Sequence, residues 1–116
     1  MDVYQIWCNL KPGVRDLEFV ERVDAYLARL RAEGRIEGHR ILRGKLGLRP
    51  PELAEFLISI EVKDLAQLDR AFEVVATRRD PVESLHHAVN SLVQDVRFAL
   101  YRDFPDPQRV RGDERF

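Results

Sequence analysis

The sequence predicts a single α+β domain in which helices cover one face of a four-stranded antiparallel sheet. Its 116 residues, 45% hydrophobic and 34% charged, are sufficient for one globular core. Segments whose apolar residues alternate with a period of two are interleaved with segments whose apolar residues recur every three or four positions. The first strand is apolar on both faces and needs cover on both sides, whereas the helices suffice for one layer. We therefore expect another copy of the chain to supply the second layer.

The first strand is predicted over residues 3–10, and both of its faces carry large apolar side chains. One face holds Tyr4, Ile6, Cys8 and Leu10, and the other holds Val3, Gln5, Trp7 and Asn9. The segment Lys11-Pro12-Gly13 ends this strand. A helix is predicted over residues 16–33 from its apolar stripe, and Gly34 follows where a residue with positive φ commonly stops a helix.

The middle of the chain predicts two strands and a capped helix. Residues 36–46 predict a second strand, which Gly38 and Gly44 weaken, and residues 47–52 predict a loop. Residues 56–62 alternate clearly and predict the third strand. Asp64 then begins a helix as its N-cap, and Gln67 completes a capping box. Its buried face is expected to consist of Leu65, Leu68, Phe72 and Val75.

The last third predicts a short helix, a strand and a tail. Asp80-Pro81 starts the helix, which is expected to end near Leu92, and residues 96–101 predict the fourth strand. This order of elements predicts a ferredoxin-like domain over residues 1–102. Residues 103–116 form a C-terminal tail that is either disordered or laid across a neighbour.

The sheet face turned away from the helices has a mixed composition that suits a protein–protein interface. It carries Trp7, Leu57 and Tyr101 beside polar residues, and we expect it to form a homodimer by sheet-to-sheet packing. RNA-binding relatives of this arrangement stack bases on aromatic residues of the two central strands. Here Ser59 and Glu61 occupy such places, so no nucleic-acid partner is expected.

The composition restricts the location and the partners of the protein. The net charge is −1, which gives no global attraction to nucleic acid or to an anionic membrane. The single cysteine, Cys8, is expected to be buried and inert. We find no signal-peptide pattern and no apolar run near the roughly 20 residues that span a bilayer. A soluble cytoplasmic protein without a membrane partner is the expectation.

The candidate catalytic site centres on His86, on the inward edge of the short helix. A histidine there can reach a cavity between helices and sheet and can exchange protons near neutral pH. Tyr4, His39 and Asn90 are the supporting candidates. His87 is expected to point away, because neighbouring helical residues diverge by about 100°. The competing interpretation is that His86 is a boundary residue with a satisfied hydrogen bond.

No metal or cofactor is expected from the sequence. Structural and catalytic metal sites need three or four converging ligands, and no such spacing occurs. The glycines at positions 34, 38, 44 and 47 do not match a phosphate-binding loop.

Two segments carry a resemblance to known proteins: YQIWCNLKPG over residues 4–13 and LHHAVNSLVQDVRFALYRDFPD over residues 85–106. They resemble a small bacterial family with no assigned function. The order of elements, with an extra helix before the last strand, is similar to the dimeric α+β barrel superfamily. That superfamily includes cofactor-free monooxygenases, muconolactone-isomerase-like proteins, EthD-like proteins and stress-responsive barrel proteins. The resemblance implies two ferredoxin-like sheets packed face to face and assigns no catalytic residue.

Two classes of function remain open at this point. The resemblance implies a cofactor-free small-molecule binder or enzyme, monooxygenase-like or isomerase-like, acting in a helix-side cavity. The alternative is a non-catalytic dimeric assembly or regulatory module. A cavity with a few converging polar groups would favour the first class, and a solid core would favour the second.

Overall fold

The computed structural model describes residues 1–110 and confirms the predicted α+β fold. The elements are β1 (Asp2–Leu10), α1 (Asp16–Ala32), β2 (Gly38–Arg43), β3 (Phe56–Val62), α2 (Leu65–Ala76), α3 (Val82–Asn90) and β4 (Val93–Arg102). The four strands form one antiparallel sheet in the order β2-β3-β1-β4, which is the ferredoxin-like order. None of the helices within residues 1–110 is long and apolar enough to cross a membrane.

Strands β2 and β4 differ in length from the prediction, for reasons that lie in local backbone geometry. β2 ends at Arg43 because the chain turns away through Leu46 and Gly47, both at positive φ. β4 begins three residues earlier than expected. The pairing of β4 with β1 shifts register between Trp7 and Asn9, and this irregularity lets β4 extend back to Val93. Asp95, at the shift, has a φ of +55°. The Asn9 amide donates to Asp95 across this irregularity at 3.1 Å.

The predicted cap of α2 is confirmed, and it also joins α2 to the turn after α1. The Asp64 carboxylate accepts from the Gln67 backbone N–H at 2.8 Å. The Gln67 side chain is buried, accepts from the Lys63 N–H at 2.7 Å and donates to the Gly34 carbonyl at 3.1 Å. A buried amide must be hydrogen-bonded in this way to be tolerated, so Gln67 fixes the position of α2 on the sheet.

The core includes a contact between an aromatic ring of α1 and one of β3. Phe19 is fully buried, and its ring lies 5.1 Å from that of Phe56 at a tilt of 58°. Val62, at the far end of β3, is also fully buried, and Val23, Leu27 and Leu30 continue the contact along α1.

The helices leave β4 uncovered, which corrects the predicted placement of its apolar residues. Phe98 and Leu100 face the helical side, since they are paired with Ile6 and Tyr4 of β1. They are nevertheless 60% and 50% exposed, because the helical layer packs on β2, β3 and itself. The predicted buried face of α2 was also partly wrong: Phe72, at the edge of this uncovered region, is 46% exposed, and Leu65 is 47% exposed.

The chain leaves the sheet next to its own N-terminus. Arg102 forms a two-pronged ion pair with the buried carboxylate of Asp2, with contacts of 2.6 and 3.1 Å. The Asp103 N–H then donates to the Met1 carbonyl at 3.2 Å. The predicted tail begins here, and residues 111–116 of that prediction lie outside the described residues.

Candidate functional site

A cavity of about 320 Å³ lies between the sheet and the helices, next to the uncovered strand β4. Its walls are mostly aliphatic and aromatic. They comprise Tyr4, Ile6, Cys8, Val23, Tyr26, Leu27, Leu30, Ile36, Ile58, Ile60, Leu68, Ala71, Phe72, Val75, His86, Val89, Asn90, Val93, Val96 and Phe98. A volume near 300 Å³ with apolar walls and few polar groups is typical of a small-molecule site.

Four polar side chains with hydrogen-bonding heads reach this cavity from three elements. Tyr4 comes from β1, Tyr26 from α1, and His86 and Asn90 from α3. His86 and Asn90 are four residues apart, so one turn of helix places them on the same face. In residues 1–110 none of these four side chains makes a hydrogen bond to another protein group, so their polar atoms are free to bind a ligand.

The ring of Tyr4 is held between two phenylalanines at the mouth of the cavity. It stacks on Phe98 at 5.9 Å, nearly parallel, and meets Phe72 edge-on at 5.5 Å. Both arrangements are favoured for aromatic pairs. Burial raises the pKa of the Tyr4 phenol, which therefore stays protonated and acts as a hydrogen-bond donor.

Tyr26 and His86 form a second aromatic contact at the inner wall. Their ring centroids are 5.4 Å apart. Burial raises the pKa of Tyr26 to about 12, with smaller contributions from Tyr4 and Glu83. The arrangement thus places two neutral phenols and one imidazole around an apolar space, a combination that can bind an oxygen atom and can accept a proton.

Cys8 lines the same cavity without being a reactive group. It is 1% exposed, and burial raises its pKa to about 11. The thiolate is the nucleophilic form, so the neutral Cys8 thiol contributes only to packing at physiological pH. This agrees with the expectation for a lone cysteine among apolar neighbours.

The structure brings together three of the four predicted site residues and leaves His39 elsewhere. Tyr4, His86 and Asn90 line the cavity, whereas His39 does not. The His39 Nε2 atom lies 2.7 Å from the Asp24 carboxylate of α1, so this side chain is engaged at the surface. The catalytic roles predicted for Tyr4, His39, His86 and Asn90 stay predictions. In residues 1–110 no three histidine, cysteine or acidic side chains cluster as metal ligands would.

Tyr26 is the polar residue of the cavity wall that was not among the candidates predicted from the sequence. It belongs to the apolar stripe of α1, where an aromatic residue is normally core. The available signal was its phenol, because a buried tyrosine usually needs a partner for its hydroxyl.

The opposite face of the sheet is open along its whole width. One row across it consists of Leu42, Leu57, Trp7 and Arg97. Tyr101 on the same face is 61% exposed, and the buried side-chain oxygen of Gln5 makes no hydrogen bond within residues 1–110. This face therefore combines exposed aromatic area with an unsatisfied polar atom.

Solved structures with the same fold come from several organisms. A protein of Arabidopsis thaliana has a TM-score of 0.69 at 8% identity, over 89% of this chain and 95% of that chain. SnoaB, a cofactor-independent oxygenase from Streptomyces nogalater, has a TM-score of 0.68 at 11% identity, over 93% and 97%. A dimeric ferredoxin-like protein of unknown function from Thermobifida fusca has a TM-score of 0.55 at 16% identity, over 87% and 90%. At such identities the likeness shows the fold alone.

The sequence comparisons add a family match to this likeness of fold. No functionally curated protein matches this chain. Residues 1–116 match the family described as "Family of unknown function (DUF6614)".

Proposed function

Since the chain belongs to DUF6614, a family of unknown function, we propose from its cavity that the protein binds a small, largely apolar molecule between sheet and helices. The observation that carries this proposal is the set of unpaired polar groups in an apolar wall. Tyr4, Tyr26, His86 and Asn90 present hydrogen-bonding atoms to one space of about 320 Å³. In a core that binds no ligand, we would expect side chains to fill such a space and hydrogen bonds to pair these polar groups.

The geometry favours an enzyme that removes a proton from the bound molecule. The imidazole of His86 can act as a general base toward an acidic O–H or an activated C–H group of the bound molecule. The protonated phenols of Tyr4 and Tyr26 can donate hydrogen bonds to the oxygen on which negative charge then develops. Proton removal is a shared first step of isomerisation and of direct reaction with dioxygen. The fold likeness to a cofactor-independent oxygenase supports this class of chemistry.

Chemical-shift mapping with 2-naphthol as the probe tests the binding proposal. Two fused rings fill apolar space, and the hydroxyl offers a proton to His86 and an oxygen to Tyr26. We expect the shifted backbone amides to cluster at Tyr4, Tyr26, His86 and Phe98, with little change at Phe19. Shifts concentrated on the open sheet face, or no saturable shift at millimolar probe, would refute the proposal.

The open sheet face supports a second proposal, that two copies associate through it. On this face Trp7 is partly exposed and Tyr101 is mostly exposed. Structural neighbours include proteins described as dimeric. A specific interface buries at least about 1,000 Å², which a sheet face of this width can supply. This assembly is the essential feature of the alternative function, a non-catalytic module. The cytoplasmic location likewise remains a proposal.

Light scattering at micromolar concentration tests the association. The wild-type chain should have the mass of a dimer, and Trp7→Asp should weaken dimerisation at least tenfold by placing an unpaired charge in the interface. Leu17→Asp is the matched control, because Leu17 is exposed on α1, away from the open face. A wild-type monomer, or a fully dimeric Trp7→Asp variant, would contradict this arrangement.

A further inference from the structure

A second, polar cavity of about 280 Å³ adjoins the first on the outer side of α3. Its lining residues are Val75, Ala76, Arg78, Glu83, His86, His87 and Asn90. Val75, His86 and Asn90 line both cavities. These three side chains therefore form the boundary between an apolar interior and a polar pocket at the surface.

The two cavities differ sharply in charge. Among the described residues that line the first cavity, His86 alone can carry a positive charge, and none is an aspartate or a glutamate. The second contains the guanidinium of Arg78, the carboxylate of Glu83 and a further imidazole, His87. A molecule that occupied both would need an apolar body and a polar end.

The polar pocket offers more donors than acceptors. Arg78 lies just beyond the end of α2 and makes no ion pair within residues 1–110. It contributes five N–H donors, and the Asn90 amide and the two imidazoles add further donors. Glu83 is the one carboxylate among the described lining residues, and its negative charge competes with a bound anion for Arg78.

We propose that the ligand of the helix-side cavity is an apolar monocarboxylic acid, whose body fills the apolar cavity and whose carboxylate lies at His86 and Asn90, facing Arg78. This inference rests on the proposed binding function and adds the charge of the ligand to it. The Asn90 amide and the His86 imidazole, both unpaired in the protein, provide hydrogen bonds at the boundary. Arg78 adds a charge-assisted interaction, which is roughly twice as strong as a neutral one.

Titration calorimetry with 2-naphthoic acid and its methyl ester tests the charge of the ligand. The two probes share the same rings, so their affinities differ by the contribution of the carboxylate. At pH 7.5 the acid should bind about tenfold more tightly than the ester. Arg78→Gln should remove most of that difference and leave the affinity for the ester unchanged.

Two further variants sharpen this test. Arg79→Gln is the matched control, since Arg79 is the next residue and lines a different surface depression. It should leave both affinities unchanged. Glu83→Gln removes the competing negative charge and should strengthen binding of the acid by a few-fold. A reversed or absent effect of Glu83→Gln would count against the proposal.

The outcomes separate this inference from the function on which it rests. If the ester binds in the cavity as tightly as the acid, or if Arg78→Gln leaves the preference intact, the acid proposal is wrong and the binding function stands. If neither probe binds and 2-naphthol also fails, both proposals are overturned.

Discussion

The two ends of the space between sheet and helices differ in how well they are filled. At one end the rings of Phe19 and Phe56 are in contact, and both residues are almost completely buried. At the other end Tyr4 is flanked by Phe72 and Phe98, which are themselves about half exposed, and a cavity lies behind them. The same kind of side chain thus forms a solid core in one place and the wall of a pocket in the other.

The difference arises from how far the helical layer extends across the sheet. Within residues 1–110, α1 and α2 pack on β2 and β3, and α3 packs mainly on α1. The strand β4 at the edge of the sheet remains without cover, although Phe98 and Leu100 face the helical side. Stability is therefore concentrated in the packed end, and the incompletely covered end is left available for a ligand.

The largest expected effect is on the stability of the packed end. Phe19→Ala should lower the free energy of unfolding by about 3–5 kcal/mol, because it removes a fully buried aromatic ring and leaves a cavity. Phe98→Ala removes a ring of the same size from a 60% exposed position and should cost less than about 1.5 kcal/mol. Urea unfolding of both variants measures the comparison, and equal losses would show that the two ends are not different.

Substitution by a larger side chain should also destabilise the two ends to different extents. Val62→Phe forces a larger side chain into a fully buried position that does not line the cavity, and should cost about 1–3 kcal/mol. Val93→Phe enlarges a cavity wall and should cost less than about 1 kcal/mol, while reducing the affinity for 2-naphthol. The comparison fails if Val93→Phe is the more destabilising of the two in the same urea assay.

The smallest effect concerns how β4 is held in place without helical cover. The hydrogen bonds from Arg102 are the main reason that the pKa of Asp2 lies below its usual 3.8. Ionised Asp2 therefore stabilises the fold above pH 3.8, and this contribution is lost as the pH falls through the lowered pKa of the folded state. Arg102→Met should be less stable than wild type at pH 7, and the gap should narrow below about pH 4.

Thermal unfolding between pH 3 and pH 7 measures that gap. Arg70→Met is the control, because Arg70 is exposed on α2, away from both β4 and the open sheet face. A gap that stays constant with pH would mean that the Asp2–Arg102 pair does not anchor β4.

The sequence alone was sufficient to predict the order of the elements and which face of each strand lies toward the helices. It was not sufficient to predict how far the helices extend across the sheet. Period-two alternation assigns Phe98 and Leu100 to the helical side, and the pairing with β1 agrees. Whether a helix reaches them depends on helix positions and packing distances, which are tertiary properties. Periodicity contains no information about them, so two half-exposed residues were expected to be buried.

The same limit applies to the candidate site. The spacing of His86 and Asn90 was sufficient to place them on one face of α3, and the structure has both in the cavity wall. The contact that engages His39 depends on Asp24 of α1, which lies 15 residues away in the chain, and no sequence pattern links the two. Tyr26 was hidden in the apolar stripe of its helix, because periodicity cannot distinguish a core ring from one that lines a pocket.

The most direct test of the account is the affinity of 2-naphthol for two variants on neighbouring residues of α3. His86 lines the apolar cavity and touches Tyr26, whereas His87 lines only the outer pocket. His86→Ala should weaken binding about tenfold through the loss of a hydrogen bond and of ring contact, and His87→Ala should change it less than twofold. Equal affinities for the two variants in calorimetric titration would contradict the claim that the helix-side cavity is the functional site.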